Sequence, residues 1–250
     1  MAKIVSIHSF CRSTGKSSIA ANVSAQFAKK GKRVGVIDTD INSPSLHFFF
    51  QMDEQQAGKT LNDYLWGKCA IEETAYSVSG KIGVSGAIYL IPASVRIGEI
   101  AQTLREGYDV NLLNEGCQTL IDKLDLDYLF IDTHSGLNEE TLLSIAISDI
   151  LIVVLRTDQR DFQGSAVLVD VARKLEVPRL YLVVNEAISA YEPDGLRQQI
   201  EETYGAPVAA VIPLSEDVAA LQSSAIFSIR FPDHIVSQRI REIVAIIEKT

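Results

Sequence analysis

Short, almost wholly apolar runs recur along the chain, and amphipathic stretches separate them. The runs read as buried strands at Lys3–His8, Arg33–Asp38, Ile88–Pro92, Tyr128–Asp132, Ile150–Leu155, Arg179–Asn185 and Pro207–Ile212. Between them, helical spacing predicts helices near 16–30, 97–106, 109–124, 138–147, 162–175, 193–203 and 216–224, with a last one at 234–249. Strands apolar on both faces and alternating with helices imply an α/β fold: a twisted, mainly parallel sheet with helices on both faces. Right-handed crossovers then gather the C-terminal ends of the strands along one edge, where open sheets of this kind bind ligands. Every polar motif in the chain falls at such an end, so the motifs read as one site.

The first of these motifs is Ser9-Phe10-Cys11-Arg12-Ser13-Thr14-Gly15-Lys16-Ser17-Ser18, between the first strand and a helix with Ile19, Val23 and Phe27 on one face. Strand, short loop and Gly-Lys-Ser opening a helix is the setting of a phosphate-binding loop. Backbone N–H groups and the positive end of the helix face anionic oxygens there. Lys16 supplies an ammonium for the outer phosphates, and the Ser17 hydroxyl can ligate magnesium. Phe10 stands where the usual Walker spacing has its first glycine.

The second strand ends in Asp38-Thr39-Asp40 and the later strand Tyr128-Leu129-Phe130-Ile131 in Asp132. Near a phosphate loop, one acid of the first pair can hold magnesium-bound water while the other orients the attacking water. Asp132 has the position of a Walker B acid beside magnesium, and Thr133-His134-Ser135-Gly136 after it reads as a flexible turn.

Composition narrows the class. The 250 residues suffice for a single large core, with 47% hydrophobic and 22% charged residues. No linker, repeat or low-complexity tract divides them, so one domain over 1–250 is expected. Three cysteines (Cys11, Cys69, Cys117) and four scattered histidines suit neither a disulfide framework nor a zinc site, and point to a reducing cytoplasm. The net charge of −9 disfavours nucleic acid as the main partner without closing off a local patch. The most apolar segment, Leu142–Leu155, carries Asp149 and is too short to span a bilayer, so no integral membrane segment is expected.

With SFCRSTGKSS, VIDTD, LFIDTHSGLNEETL, VVNEA and AVIPLSED in place, the chain resembles the MinD/ParA-type deviant Walker ATPases over essentially its whole length. The resemblance implies ATP and Mg²⁺ as cofactors, an ATP-driven face-to-face homodimer, slow hydrolysis, and an unidentified activating or cargo protein. It implies that Ser13 and Thr14–Ser18 wrap the phosphates, with Lys16 on the outer ones and Ser17 on magnesium. Asp40 matches the acid that positions the hydrolytic water, with Asp38 nearby in the first switch and expected at magnesium. Asp132 matches the Walker B acid, with Thr133–Gly136 the second switch. Asn185 matches an adenine-recognising asparagine, and Pro213 begins the segment whose backbone reads the base. The residues after Asn185, Glu186-Ala187-Ile188, lack the guanine-reading aspartate of G-proteins.

One departure stands out. The family pattern has a lysine and two glycines where this chain has Cys11-Arg12-Ser13, and that lysine reaches the partner's phosphates. Cysteine supplies no cation. Arg12 either replaces the lysine as a guanidinium clamp or blocks a close dimer by its bulk. Two functions follow: a slowly hydrolysing dimer switch that positions, partitions or recruits a cargo, or a nucleotide-binding regulatory module with negligible hydrolysis. An iron–sulfur reductase is disfavoured because Phe130–Leu137 contains no cysteine. The last helix, with Val236, Ile240, Ile243, Val244 and Ile247 in a stripe, is expected to face the core rather than a membrane. The segment Thr60–Ser77 is expected to make two short helices on the nucleotide face, with Trp66 a packing residue in preference to a partner anchor.

Overall fold

The alternation of apolar strands and helices closes into one sheet in the computed structural model, which describes residues 2–53 and 57–250. The elements run β1 (Lys3–His8), α1 (Lys16–Lys29), β2 (Arg33–Asp38), α2 (Leu46–Phe49), α3 (Leu61–Leu65), a 3₁₀ turn at Ile71–Thr74, β3 (Tyr76–Ser77), α4 (Ser79–Ile82) and β4 (Ala87–Ile91). They continue with α5 (Ile97–Glu106), α6 (Asn111–Leu124), β5 (Tyr128–Asp132), α7 (Glu139–Ala146), β6 (Ile150–Leu155), α8 (Gln159–Lys174), β7 (Arg179–Ala187) and α9 (Pro193–Tyr204). Last come β8 (Val208–Pro213), α10 (Glu216–Leu221), α11 (Phe227–Arg230) and α12 (Ile235–Lys249). The strand order is β3-β4-β2-β5-β1-β6-β7-β8. All neighbours pair in parallel except β3, which lies antiparallel to β4 at the edge.

Each central strand buries both faces, so its alternate residues feed different layers. Val5, Ile7, Val34, Val36, Phe130 and Ile152 pack against α1 and α12 on one side. Their neighbours Ile4, Ile37, Leu129 and Ile131 pack with α3 and α6 on the other, and Leu151, Val153 and Leu155 with α8 and α9. Each such buried aliphatic side chain contributes roughly 1.5–3 kcal/mol. The stripe on α12 is indeed core: Ile243 and Ile247 are fully buried against α1 and β8.

The Thr60–Ser77 segment forms the two short helices expected, α3 and the 3₁₀ helix Ile71–Thr74, and adds the edge strand β3; Leu61, Leu65 and Ile71 join the α6-side core. Leu61 N–H donates to Pro92 O, just beyond the C-terminal end of β4, so α3 begins at that edge while its apolar residues pack into the core. Trp66 is half-buried with the Lys68 ammonium 4.3 Å from its ring centroid, as a packing residue. Among the described residues, no helix is long and apolar enough to cross a membrane.

Candidate functional site

At the C-terminal edge, β1 ends in His8 and the chain turns through residues 9–18 into α1. Ser13 (φ 57°) and Gly15 (φ 89°) both adopt left-handed backbone, the alternation that gathers N–H groups into an anion-binding concavity. Gly15 is required twice over. Besides its φ, a Cβ there would lie 2.2 Å from Asn185 Nδ2. That amide donates to the Thr14 carbonyl at 2.9 Å and so fixes the loop from β7. An irregularity in the β7–β8 pairing, with Glu186 at φ 53°, presents Asn185 to the loop. The first turn of α1 carries no acidic residue, so its positive end is not neutralised by its own side chains.

Lys16 is buried to 6% exposure, and its Nζ donates to Ser135 Oγ at 2.7 Å. Burial lowers its pKa, while the neighbouring Asp132 and Asp40 charges hold the ammonium. Asp38 and Asp132 sit side by side in the β2–β5 register. Burial pushes both carboxyls up, and for Asp38 the Asp132 charge adds to it. For Asp132 the Ser17 hydroxyl dipole and the Lys16 charge, close by but outside hydrogen-bonding geometry, offset part of that rise.

The two carboxylates differ in what holds them. Asp38 Oδ2 accepts from the Ser45 and Leu46 N–H groups at 3.0 and 3.1 Å, and Oδ1 from Asp40 N–H at 3.2 Å. It thus organises the loop before α2. Both oxygens of Asp132 are buried without a hydrogen-bond partner. A partnerless buried carboxylate beside a serine hydroxyl is a poor structural element and a good seat for a hard, oxygen-seeking cation. Asp132 and Ser17 therefore fit Mg²⁺, whereas Asp38 already accepts three backbone N–H bonds.

Asp40 turns to the turn after β5. Its Oδ1 receives His134 Nδ1 at 2.7 Å and Ser43 N–H at 3.2 Å. His134 Nε2 lies 3.4 Å from Arg12 Nη2. Beneath them His8 Nδ1 lies 2.5 Å from Thr133 Oγ1, whose hydroxyl donates to Ile7 O. Burial, then the Lys16 charge, lowers the His8 pKa to about 3, so this ring stays neutral. Gly136 N–H donates to Ser9 O at 3.0 Å and closes the turn onto the loop. The expected flexible turn is thus tied down at Thr133, His134, Ser135 and Gly136.

Phe10 has a physical reason to replace glycine. Its ring lies on Gly164 of α8, where an added Cβ would meet the ring at 2.1 Å. The bulk gained on the loop is matched by bulk absent from the helix. Burial, with Asp161 alongside, raises the Cys11 pKa, which suits an inert thiol.

A cavity of about 430 Å³ is lined by Arg12, Ser13, Lys16, Ser17, Asp40 and Ser135, with Thr14, Gly15, Ser18 and Glu186 also on its wall. A second hollow of about 140 Å³ shares Gly15, Ser18 and Glu186 with it and is bounded by Asn185, Pro213, Leu214 and Ser215. The loop, Asp40, Asn185 and Pro213 are therefore gathered around one connected space, while Asp38 and Asp132 are buried and line neither hollow. The sequence places His134 and Ser135 only in the turn after Asp132, and Glu186 only as a residue after Asn185, with no contact assigned to any of them. Only Gly136 marks that turn locally, and the contacts of His134 and Ser135 are long-range.

A family model described as AAA domain matches residues 2–181. The chain belongs to that family and is of MinD/ParA type in its fold. It is 29% identical over 248 residues to an uncharacterized ATP-binding protein of Methanocaldococcus jannaschii, covering 98% of this chain and 87% of that one. The septum site-determining protein MinD of Pyrococcus horikoshii, complexed with Mg-ADP, superposes with a TM-score of 0.82 at 21% identity, covering 100% of this chain and 97% of that one. A plasmid partition protein of Borrelia burgdorferi superposes with a TM-score of 0.72 at 18% identity, covering 99% and 98%.

Proposed function

We propose that the chain, as one domain over 1–250, is a Mg²⁺-dependent ATPase whose ATP-bound form pairs with a second copy. Pairing would position, partition or recruit a cargo in the cytoplasm. The observation that carries this is the partnerless, buried Asp132 carboxylate beside Ser17 and the buried Lys16, under a loop of left-handed turns. The names of the similar proteins support the class of work: one determines septum sites, another partitions plasmids.

In this reading the amides of Ser13–Ser18 and the N-terminus of α1 hold the phosphate oxygens. Lys16 leaves Ser135 and moves onto the outer phosphates. Ser17 and Asp132 hold Mg²⁺, which when bound neutralises charge developing on the phosphoryl oxygens. Asp38 braces the 39–46 loop and so sets where Asp40 stands. Asp40 accepts from and orients the attacking water. Asn185 anchors one Nδ2 hydrogen on Thr14, and its Oδ1 is the atom suited to accept from an adenine amino group. Pro213–Ser215 backbone completes the base site. Arg12, the exposed cation nearest the loop's outer side, stands in for the missing lysine across the dimer.

An activating or cargo protein is part of the proposal, and nucleic acid is not favoured by the net charge. The test is equilibrium binding of a fluorescent ATP analogue together with phosphate release, for wild type and Asp40→Ala. Tight Mg²⁺-dependent binding by both, with release lost in Asp40→Ala, is the expected result. No binding to wild type would overturn the reading. Binding without any release, with candidate activators present, would favour the regulatory module that Cys11 raises.

A further inference from the structure

We infer that His134 is the positioning residue for the Asp40 carboxylate, with its tautomer set by Arg12. The inference rests on the reading of Asp40 given above and goes beyond it.

A guanidinium can only donate. Arg12 Nη2, 3.4 Å from His134 Nε2, therefore makes that nitrogen the acceptor. In the neutral ring the proton then sits on Nδ1, which donates to Asp40 Oδ1 at 2.7 Å. Ser43 N–H donates to the same oxygen at 3.2 Å. Two donors from different segments fix one oxygen and with it the plane of the carboxylate. Among the described residues, none hydrogen-bonds Oδ2, which is left for water.

The placement is directional. Asp40 lines the phosphate cavity, whereas His134 lines the neighbouring groove of about 740 Å³ with Arg12, Arg156 and Arg160. His134 thus acts on Asp40 from outside the cavity and through it, without being placed to touch a phosphate. Both side chains are largely covered, at 11% and 16% exposure, so the contact is shielded from competing water. The next residue, Ser135, holds Lys16, and Asp132 lies two residues before. A shift of this one turn therefore moves the water-orienting acid and the phosphate lysine together.

The test uses three variants of the full chain: His134→Asn, His134→Gln and His134→Ala. An Asn amide reaches where Nδ1 stands and can donate to Asp40, whereas a Gln amide reaches where Nε2 stands and faces Arg12. Single-turnover ATP hydrolysis and the Kd for ATP are measured for each. Ala and Gln are expected to slow hydrolysis at least about tenfold with Kd within about twofold, while Asn stays within about threefold of wild type. Wild-type hydrolysis in the Ala variant overturns the proposal, and so does an equal fall in Asn and Gln. If Ala does not fold, the near-isosteric Asn–Gln pair decides alone. Wild type that binds ATP but never hydrolyses it overturns the reading of Asp40 itself, and that result is distinct from any difference among the variants.

Discussion

Within a single loop, Thr14 and Lys16 are buried to 1% and 6% exposure, whereas Arg12 and Ser13 stand in solvent and Phe10 is 38% exposed. The inner half, Thr14–Ser18, is held by Asn185 and Ser135 and leads into a helix end free of acids. Each residue there has a task that few others can do: a left-handed φ, an ammonium in a buried cleft, a hydroxyl beside Asp132. The outer half, Phe10–Ser13, is braced differently. Phe10 rests on Gly164, and Arg12 reaches His134. The family pattern survives where the backbone conformation and burial leave no alternative. At Phe10 the replacement is matched by Gly164, whereas Ser13 keeps the left-handed φ of a glycine without such a match.

The comparison can be broken from either side. The largest effect should come from the inner half. Lys16→Ala is expected to weaken ATP binding on the order of a hundredfold, since it removes the buried cation of the cleft. Isothermal titration would show it, and a change under threefold would mean the phosphates are held elsewhere.

On the outer half, Gly164→Ala should cost about 1–3 kcal/mol of stability by driving a methyl into the Phe10 ring. Combining it with Phe10→Ala should recover most of that loss in thermal or urea unfolding. Additive losses would show that the two positions do not compensate each other.

Smaller again is Arg12→Ala, expected to weaken ATP-dependent pairing about tenfold, the worth of one charge-assisted contact. Analytical ultracentrifugation reads it. Tighter pairing in this variant would instead mean that Arg12 only obstructs the interface.

The smallest effect concerns Glu140 on α7, behind the His134 turn. Burial raises its carboxyl to about 7 in spite of Tyr108 and His134 nearby. The folded pKa is above the unfolded one, so the charged form costs stability. The cost appears as pH rises through 4.5 towards 7 and is absent below that window. Glu140→Gln should therefore stabilise the protein near pH 8 by about 1 kcal/mol, discounted for solvent contact, with the gain fading towards pH 4.5. An equal gain at both ends of the range would point to packing rather than charge.

The same contrast explains what could be read from the sequence. β1, β2, β5 and β6 were legible end to end, because a strand apolar on both faces is a local pattern. The Gly-Lys-Ser loop, Asp38, Asp40 and Asp132 were legible because each sits at a strand end. Asp38 also braces the backbone: three N–H groups bond to it, and nothing in VIDTD announces them. His134 could not be found as a partner of Asp40, because the bond joins turns 94 residues apart. The Phe10–Gly164 match is equally non-local, and Gly164 alone reads as a weak helix position. The two-residue strand β3 is too short to leave a period. Apolar residues in the segment before it reveal that they are buried but not against which helix they pack.

The central claim is that ATP makes this protein pair. Its most direct test is the solution mass by light scattering of Asp40→Ala protein with Mg²⁺-ATP and with Mg²⁺-ADP, the substitution keeping ATP intact. A monomer in ADP whose mass doubles in ATP is the predicted result. A mass indifferent to nucleotide, with ATP binding demonstrated in the same sample, would contradict it.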